Sequence, residues 1–124
     1  MERTVLVVDD SVSMRQMLSL TLKGAGYQVL EGGNGQEGLD RLASAPNGRV
    51  DLIISDINMP IMDGLTFTRR LRLMSSAKFT PILILTTECS DERKAAGKAA
   101  GATGWIVKPF QPAQLLNVIN KVLL

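Results

Sequence analysis

Alternating apolar runs and helical stretches predict an α/β fold: a doubly wound, five-stranded parallel sheet with helices on both faces. Three observations carry that prediction. Val5-Leu6-Val7-Val8, Leu52-Ile53-Ile54, Ile82-Leu83-Ile84-Leu85 and Trp105-Ile106-Val107 are continuously apolar, as strands buried on both faces are. A fifth run, Tyr27-Gln28-Val29-Leu30-Glu31, is shorter in apolar content and suits a sheet edge. Between the runs, apolar residues recur at helical spacing, flanked by capping residues and glycines.

In chain order, the first strand ends in Asp9-Asp10. Ser13 is the expected cap of the next helix, in which Met14, Met17, Leu18, Thr21 and Leu22 form one apolar stripe. Gly24-Ala25-Gly26 stops it. After the edge strand, Gly32-Gly33 turns the chain, and Asn34 with Glu37 resembles a capping box. Leu39, Leu42 and Ala43 line a short second helix, weakened by Gly38 at a cost of about 1 kcal/mol relative to alanine. Pro46-Asn47-Gly48 ends it.

The central strand, Asp51 to Asp56, is followed by a loop, Asn58-Met59-Pro60, and by Asp63 as cap of a third helix. That helix is expected to turn Leu65, Thr68 and Leu71 inward and Arg69, Arg70 and Arg72 mostly outward. Ser75 to Thr80 reads as a polar loop. The fourth strand ends in Thr86-Thr87, and Ser90 can cap the fourth helix, with Asp91 and Glu92 suiting its dipole. The apolar content of this helix is alanine alone (Ala95, Ala96, Ala99, Ala100) with Gly97 in the middle, so packing should hold it loosely. Gly104 to Val107 is the fifth strand. Pro112 fits the first turn of a last helix bearing Leu115, Val118, Ile119 and Val122. Right-handed crossovers, with the polar strand at an edge, favour the flavodoxin-like order 2-1-3-4-5.

Length and composition bound the function. The 124 residues suit a single domain, residues 1–124. A net charge of +2, with basic residues scattered, argues against nucleic acid as a partner. No apolar run reaches the roughly 20 residues of a membrane span, and no signal-peptide pattern opens the chain, so a cytoplasmic location is expected. There is no histidine, and Cys89 is the sole cysteine. These counts exclude a structural zinc site, an internal disulfide and every histidine-based triad. Carboxylates, hydroxyls and lysines remain for chemistry.

Parallel strands present their C-terminal ends along one edge of the sheet, where open α/β folds bind ligands. Here those ends carry Asp9-Asp10, Glu31, Asp56, Thr86-Thr87 and Lys108. Carboxylates gathered in one crevice repel by about 1 kcal/mol per pair at 4 Å in water, and about 4 at an effective dielectric near 20. They must take up protons or a cation. A hard divalent ion such as Mg²⁺ accepts oxygen ligands of this kind. Beside it, Asp56 would be a nucleophile toward phosphorus, with Lys108 stabilising charge and Thr86 bonding a phosphoryl oxygen. Each residue alone has a plainer reading, as a helix cap or a solvated charge; the joint placement is the signal.

Val7-Val8-Asp9-Asp10-Ser11, Ser55-Asp56-Ile57-Asn58-Met59-Pro60-Ile61-Met62-Asp63-Gly64, Leu85-Thr86 and Lys108-Pro109-Phe110 together resemble the receiver domain of two-component response regulators, in particular its stand-alone chemotaxis branch. The resemblance spans Val5 to Leu123. It implies that Asp56 is the phosphoacceptor, that Asp9, Asp10, Asp56 and the backbone carbonyl of Asn58 hold Mg²⁺, and that Lys108 assists. It implies that Thr86 and Trp105 are the switch pair and that Lys108-Pro109 is cis. Trp105 departs from the usual tyrosine or phenylalanine, and Gly38 from the commoner alanine. Glu88, with Asn58, is expected to tune hydrolysis of the acyl phosphate.

The resemblance implies a phosphorylation switch and not a turnover enzyme. Its partners would be a histidine kinase and a protein target, such as a flagellar motor component or a phosphotransfer protein; DNA is not expected as a partner. A haloacid-type phosphatase would need an acid two residues after Asp56, where Asn58 stands. An FMN carrier would need a hydroxyl- and glycine-rich loop after the first strand, where Asp9-Asp10 stands.

Overall fold

A computed structural model describes residues 3–87 and 90–123. The strands are β1 (Thr4–Val8), β2 (Gln28–Gly32), β3 (Leu52–Asp56), β4 (Ile82–Thr86) and β5 (Gly104–Val107). The helices are α1 (Val12–Gly24), α2 (Gly35–Ala43), α3 (Gly64–Arg72), α4 (Asp91–Ala100) and α5 (Pro112–Val122). All strand pairs are parallel, and the order is β2-β1-β3-β4-β5, as expected.

Alternation along the strands divides the core into two. Leu6, Val8, Ile53, Ile82 and Ile84 pack on one side with Leu42, Phe67 and Leu71 from α2 and α3. Val5, Val7, Leu52, Ile54, Leu83, Leu85 and Ile106 pack on the other with Leu18, Leu22, Leu115 and Ile119 from α1 and α5. Full burial of each such side chain contributes about 1.5–3 kcal/mol, so the central strands are fixed firmly from both faces. Among the described residues, no helix is long and apolar enough to cross a membrane.

Several local expectations change. The cap of α1 is Ser11, whose hydroxyl accepts from Met14 N at 3.2 Å; Ser13 lies inside the helix. Strand β2 runs one residue later than expected because Tyr27 N still bonds Leu22 O, while Gly32 pairs with Val8. The inward residues of α3 are Phe67, Thr68 and Leu71, with Leu65 only half-buried. Arg72 is not outward. Its guanidinium donates to the carbonyls of Ala77 (2.9 Å), Lys78 (3.2 Å), Thr80 (2.7 Å) and Gly101 (2.9 Å). It thereby ties the loop before β4 to the end of α4. The caps by Asn34, Asp63 and Ser90 form as expected. In α4, Gly97 and Ala100 alone are buried.

Candidate functional site

The strand register sets the site. Val8 pairs with Ser55, Asp56 with Leu85, and Thr86 with Val107. Asp9, Asp56, Thr86 and Lys108 therefore emerge side by side from four adjacent strands. Each is held on its backbone by the rigid apolar run before it.

Asp9 is fully buried. Its Oδ1 accepts from Ser11 N at 2.9 Å, and Lys108 Nζ reaches Oδ2 at 3.3 Å. The same ammonium lies 3.3 Å from Asp56 Oδ1, which also accepts from Ile57 N at 2.9 Å. Among the described residues nothing donates to Asp56 Oδ2. Asp10 is exposed, and single oxygens of Asp9, Asp10 and Asp56 lie within 4.8 Å of one another. Three carboxylates facing one lysine leave net negative charge at a half-open edge. This set of hard oxygen donors fits a small divalent cation.

The electrostatics of Asp56 follow from that crowding. Burial pushes its carboxyl above the usual value near 3.8, and the Asp9 carboxylate pushes it further; Lys108 and the Ile57 N–H pull it back. A carboxyl whose pKa is raised on folding favours the folded state only while protonated. Stability from this group is therefore present at low pH and lost as pH rises past 3.8 through the folded value. Asp56→Asn is expected to raise Tm at neutral pH, and the gain should vanish below pH 3.8. Thermal unfolding across that range without Mg²⁺ checks it; a gain that persists in acid would refute this origin.

Two supports were not legible in the sequence. Arg15, on α1, donates to the Asp9 carbonyl at 2.7 Å and pairs with Glu31 at 3.5 Å. Glu31 is thus turned to Arg15 and stands outside the carboxylate cluster. Gly64, opening α3, has no room for a side chain, because a Cβ would collide with the Asp56 carbonyl. Its N–H bonds Ile57 O at 2.8 Å and closes the loop after β3.

The other expected residues are placed as follows. Asn58 is exposed in the β3–α3 loop, two positions beyond Asp56. Thr86 is buried at the end of β4, and Trp105 is half-buried on β5. Both line one small pocket under α4 with Ile57, Ile84 and Gly97. Lys108-Pro109 is cis. Glu88 lies outside the described residues.

A parallel sheet with clustered carboxylates and a lysine at its C-terminal edge defines an acidic, cation-seeking site. The comparisons agree. The model of the response regulator receiver domain matches residues 5–120. Chemotaxis protein CheY1 of Helicobacter pylori is 38% identical over 120 residues, covering 96% of this chain and 95% of that protein. The structure of Vibrio cholerae chemotaxis protein CheY4 superposes with a TM-score of 0.92 at 52% identity, covering 98% of this chain and 99% of that one. The receiver domain of the sensor histidine kinase PA1611 from Pseudomonas aeruginosa shares the fold at 24% identity, with a TM-score of 0.87 over 98% of this chain and 97% of its own; a magnesium ion is coordinated in its own active site cleft. The chain belongs to the response regulator receiver domain family and is a component of two-component signalling.

Proposed function

We propose that Asp56 is the phosphoacceptor, taking a phosphoryl group from a histidine kinase. Oδ2, which accepts from no donor among the described residues, attacks phosphorus; the new O–P bond forms as the P–N bond of phosphohistidine breaks, and the electron pair leaves on the imidazole nitrogen. Lys108, already 3.3 Å from Oδ1, remains beside the oxygens that gain charge. Asp9, Asp10, Asp56 and the backbone carbonyl of Asn58 would hold Mg²⁺, which supplies charge neutralisation at the transferring group. The chain acts once per phosphorylation and is then reset by hydrolysis, so it is a switch and not a turnover enzyme.

The observation that carries this reading is the shared ammonium between Asp9 and Asp56, with Asp56 Oδ2 accepting from no donor among the described residues. Phosphorylation then draws Thr86 toward the new oxygens and shifts Trp105, β5 and α4. The output is altered protein binding in the cytoplasm, with no DNA contact. The named relatives favour a target in chemotaxis, such as a flagellar motor component. Transfer onward to a histidine phosphotransfer protein is the second reading.

Intact mass after incubation with Mg²⁺ and acetyl phosphate tests the assignment. One phosphoryl group is expected on the wild type and none on Asp56→Ala. Equal uptake by both proteins would overturn it.

A further inference from the structure

Trp105 and Lys94 come from different elements, β5 and α4, yet the Lys94 ammonium stands 5.7 Å from the indole centroid. A lysine within about 6 Å of an indole face is drawn to it electrostatically. The same two residues line the pocket that holds Thr86, Ile57, Ile84 and Gly97. That pocket measures about 10 Å³, close to the room a single water needs. An indole is larger than that space, so entry of the ring requires the pocket walls, α4 among them, to give way.

The attachment of α4 is light. Its buried residues are Gly97 and Ala100, which contribute little apolar area. A Cβ built on Gly97 would meet only the Ala102 Cβ, at 4.0 Å, so open space lies against the helix there. The helix that must yield to the indole thus also carries the cation that holds the indole.

We propose that Lys94 is a positioning residue that holds the Trp105 indole outside the Thr86 pocket, and so opposes the coupled inward turn of the ring and displacement of α4. This rests on the reading of Asp56 as phosphoacceptor and of Thr86 and Trp105 as the switch pair. What it adds is a cation on α4 that sets the balance between the two indole positions. In a chain with tyrosine at residue 105, a smaller ring would meet the pocket; the bulk of tryptophan makes an external hold effective.

Trp105 is the sole tryptophan, so its fluorescence lifetimes and acrylamide quenching report the two positions directly. The variants are Lys94→Met and Lys94→Gln, which keep side-chain reach without charge, and Lys94→Arg, which keeps a stacking cation. In the unphosphorylated protein, the uncharged variants should raise the inner-to-outer ratio about two- to fivefold, while Lys94→Arg matches wild type. Far-UV circular dichroism and Tm establish that each variant is folded. Wild-type lifetimes and quenching in both folded uncharged variants would overturn the proposal. Equal shifts in all three variants would also overturn it, because the charge would then be irrelevant. Failure of the wider reading shows separately, as no mass gain at Asp56 with acetyl phosphate, whatever the resting fluorescence does.

Discussion

Lys108→Met will lower phosphoryl uptake at Asp56 by about 10²–10³-fold, the usual loss when one preorganised charge-stabilising donor is removed. The same substitution will strengthen Mg²⁺ binding. The two effects share one cause. Lys108 Nζ sits 3.3 Å from both Asp9 Oδ2 and Asp56 Oδ1, so in the resting protein it partly neutralises the cluster that a cation would fill. Without it, fully buried Asp9 faces Asp56 with no compensating charge, and the site becomes a hungrier cation trap. During transfer, however, a positive charge is wanted beside the phosphoryl oxygens, and Lys108, 3.3 Å from Asp56 Oδ1, is placed to give it. Methionine keeps the reach of the side chain and removes the charge, which limits packing loss. Intact mass with acetyl phosphate reads the first effect, and the Tm gain on adding Mg²⁺ reads the second. Parallel loss of both would mean that Lys108 merely holds the loop in shape. Undiminished uptake would remove it from the chemistry.

The cluster was legible because parallel strands make a one-dimensional rule. An apolar run fixes where a strand ends, and the next residue stands at the ligand-binding edge. Asp9, Thr86 and Lys108 follow that rule directly and Asp56 follows it after one buried serine, Ser55, and the polar composition of β2 placed it at the sheet margin. Arg15 and Arg72 escaped notice for a shared reason. Both give donors to backbone carbonyls, Asp9 for Arg15, which also pairs with Glu31, and Ala77, Lys78, Thr80 and Gly101 for Arg72. Carbonyls carry no sequence signature; whether one is left over depends on how a loop turns. An arginine at a helix end therefore reads as solvated until the loop is seen. Phe67 was missed because the stripe was started from Leu65. The buried set on α3 instead runs Gly64, Phe67, Thr68, Leu71, a helical i, i+3, i+4, i+7 face that begins on a glycine. Ser13 lost its cap to Ser11 because the helix starts earlier, directly after the acidic pair, which brings α1 and Arg15 against the site.

Gly38→Ala shows why the second helix could not be judged from propensity. Alanine in a helix interior is favoured over glycine by about 1 kcal/mol, so sequence alone predicts a gain. In the fold, a Cβ at Gly38 would lie 2.8 Å from Phe67 Cζ and 2.9 Å from Val8 Cγ2. Both neighbours are fully buried core residues and have no free space to retreat into. Overpacking of this kind costs about 1–3 kcal/mol, which meets or exceeds the propensity gain. The expected result is a net loss of about 1 kcal/mol or more, read as a lower urea midpoint with unchanged slope. Phe67→Leu removes the nearer obstacle, so the double variant should be more stable than additivity allows by at least about 0.5 kcal/mol. Strict additivity would mean the ring is not what excludes the methyl. Gly97→Ala is the counter-case, since its Cβ would meet nothing nearer than 4.0 Å. There the propensity term acts unopposed, and a gain approaching 1 kcal/mol is expected. One substitution thus takes opposite signs on two helices of the same chain. The deciding quantity is whether a phenylalanine ring or open space stands over the glycine, and with Val8 immediately before Asp9, the loss at Gly38 presses on the strand that carries the acidic pair.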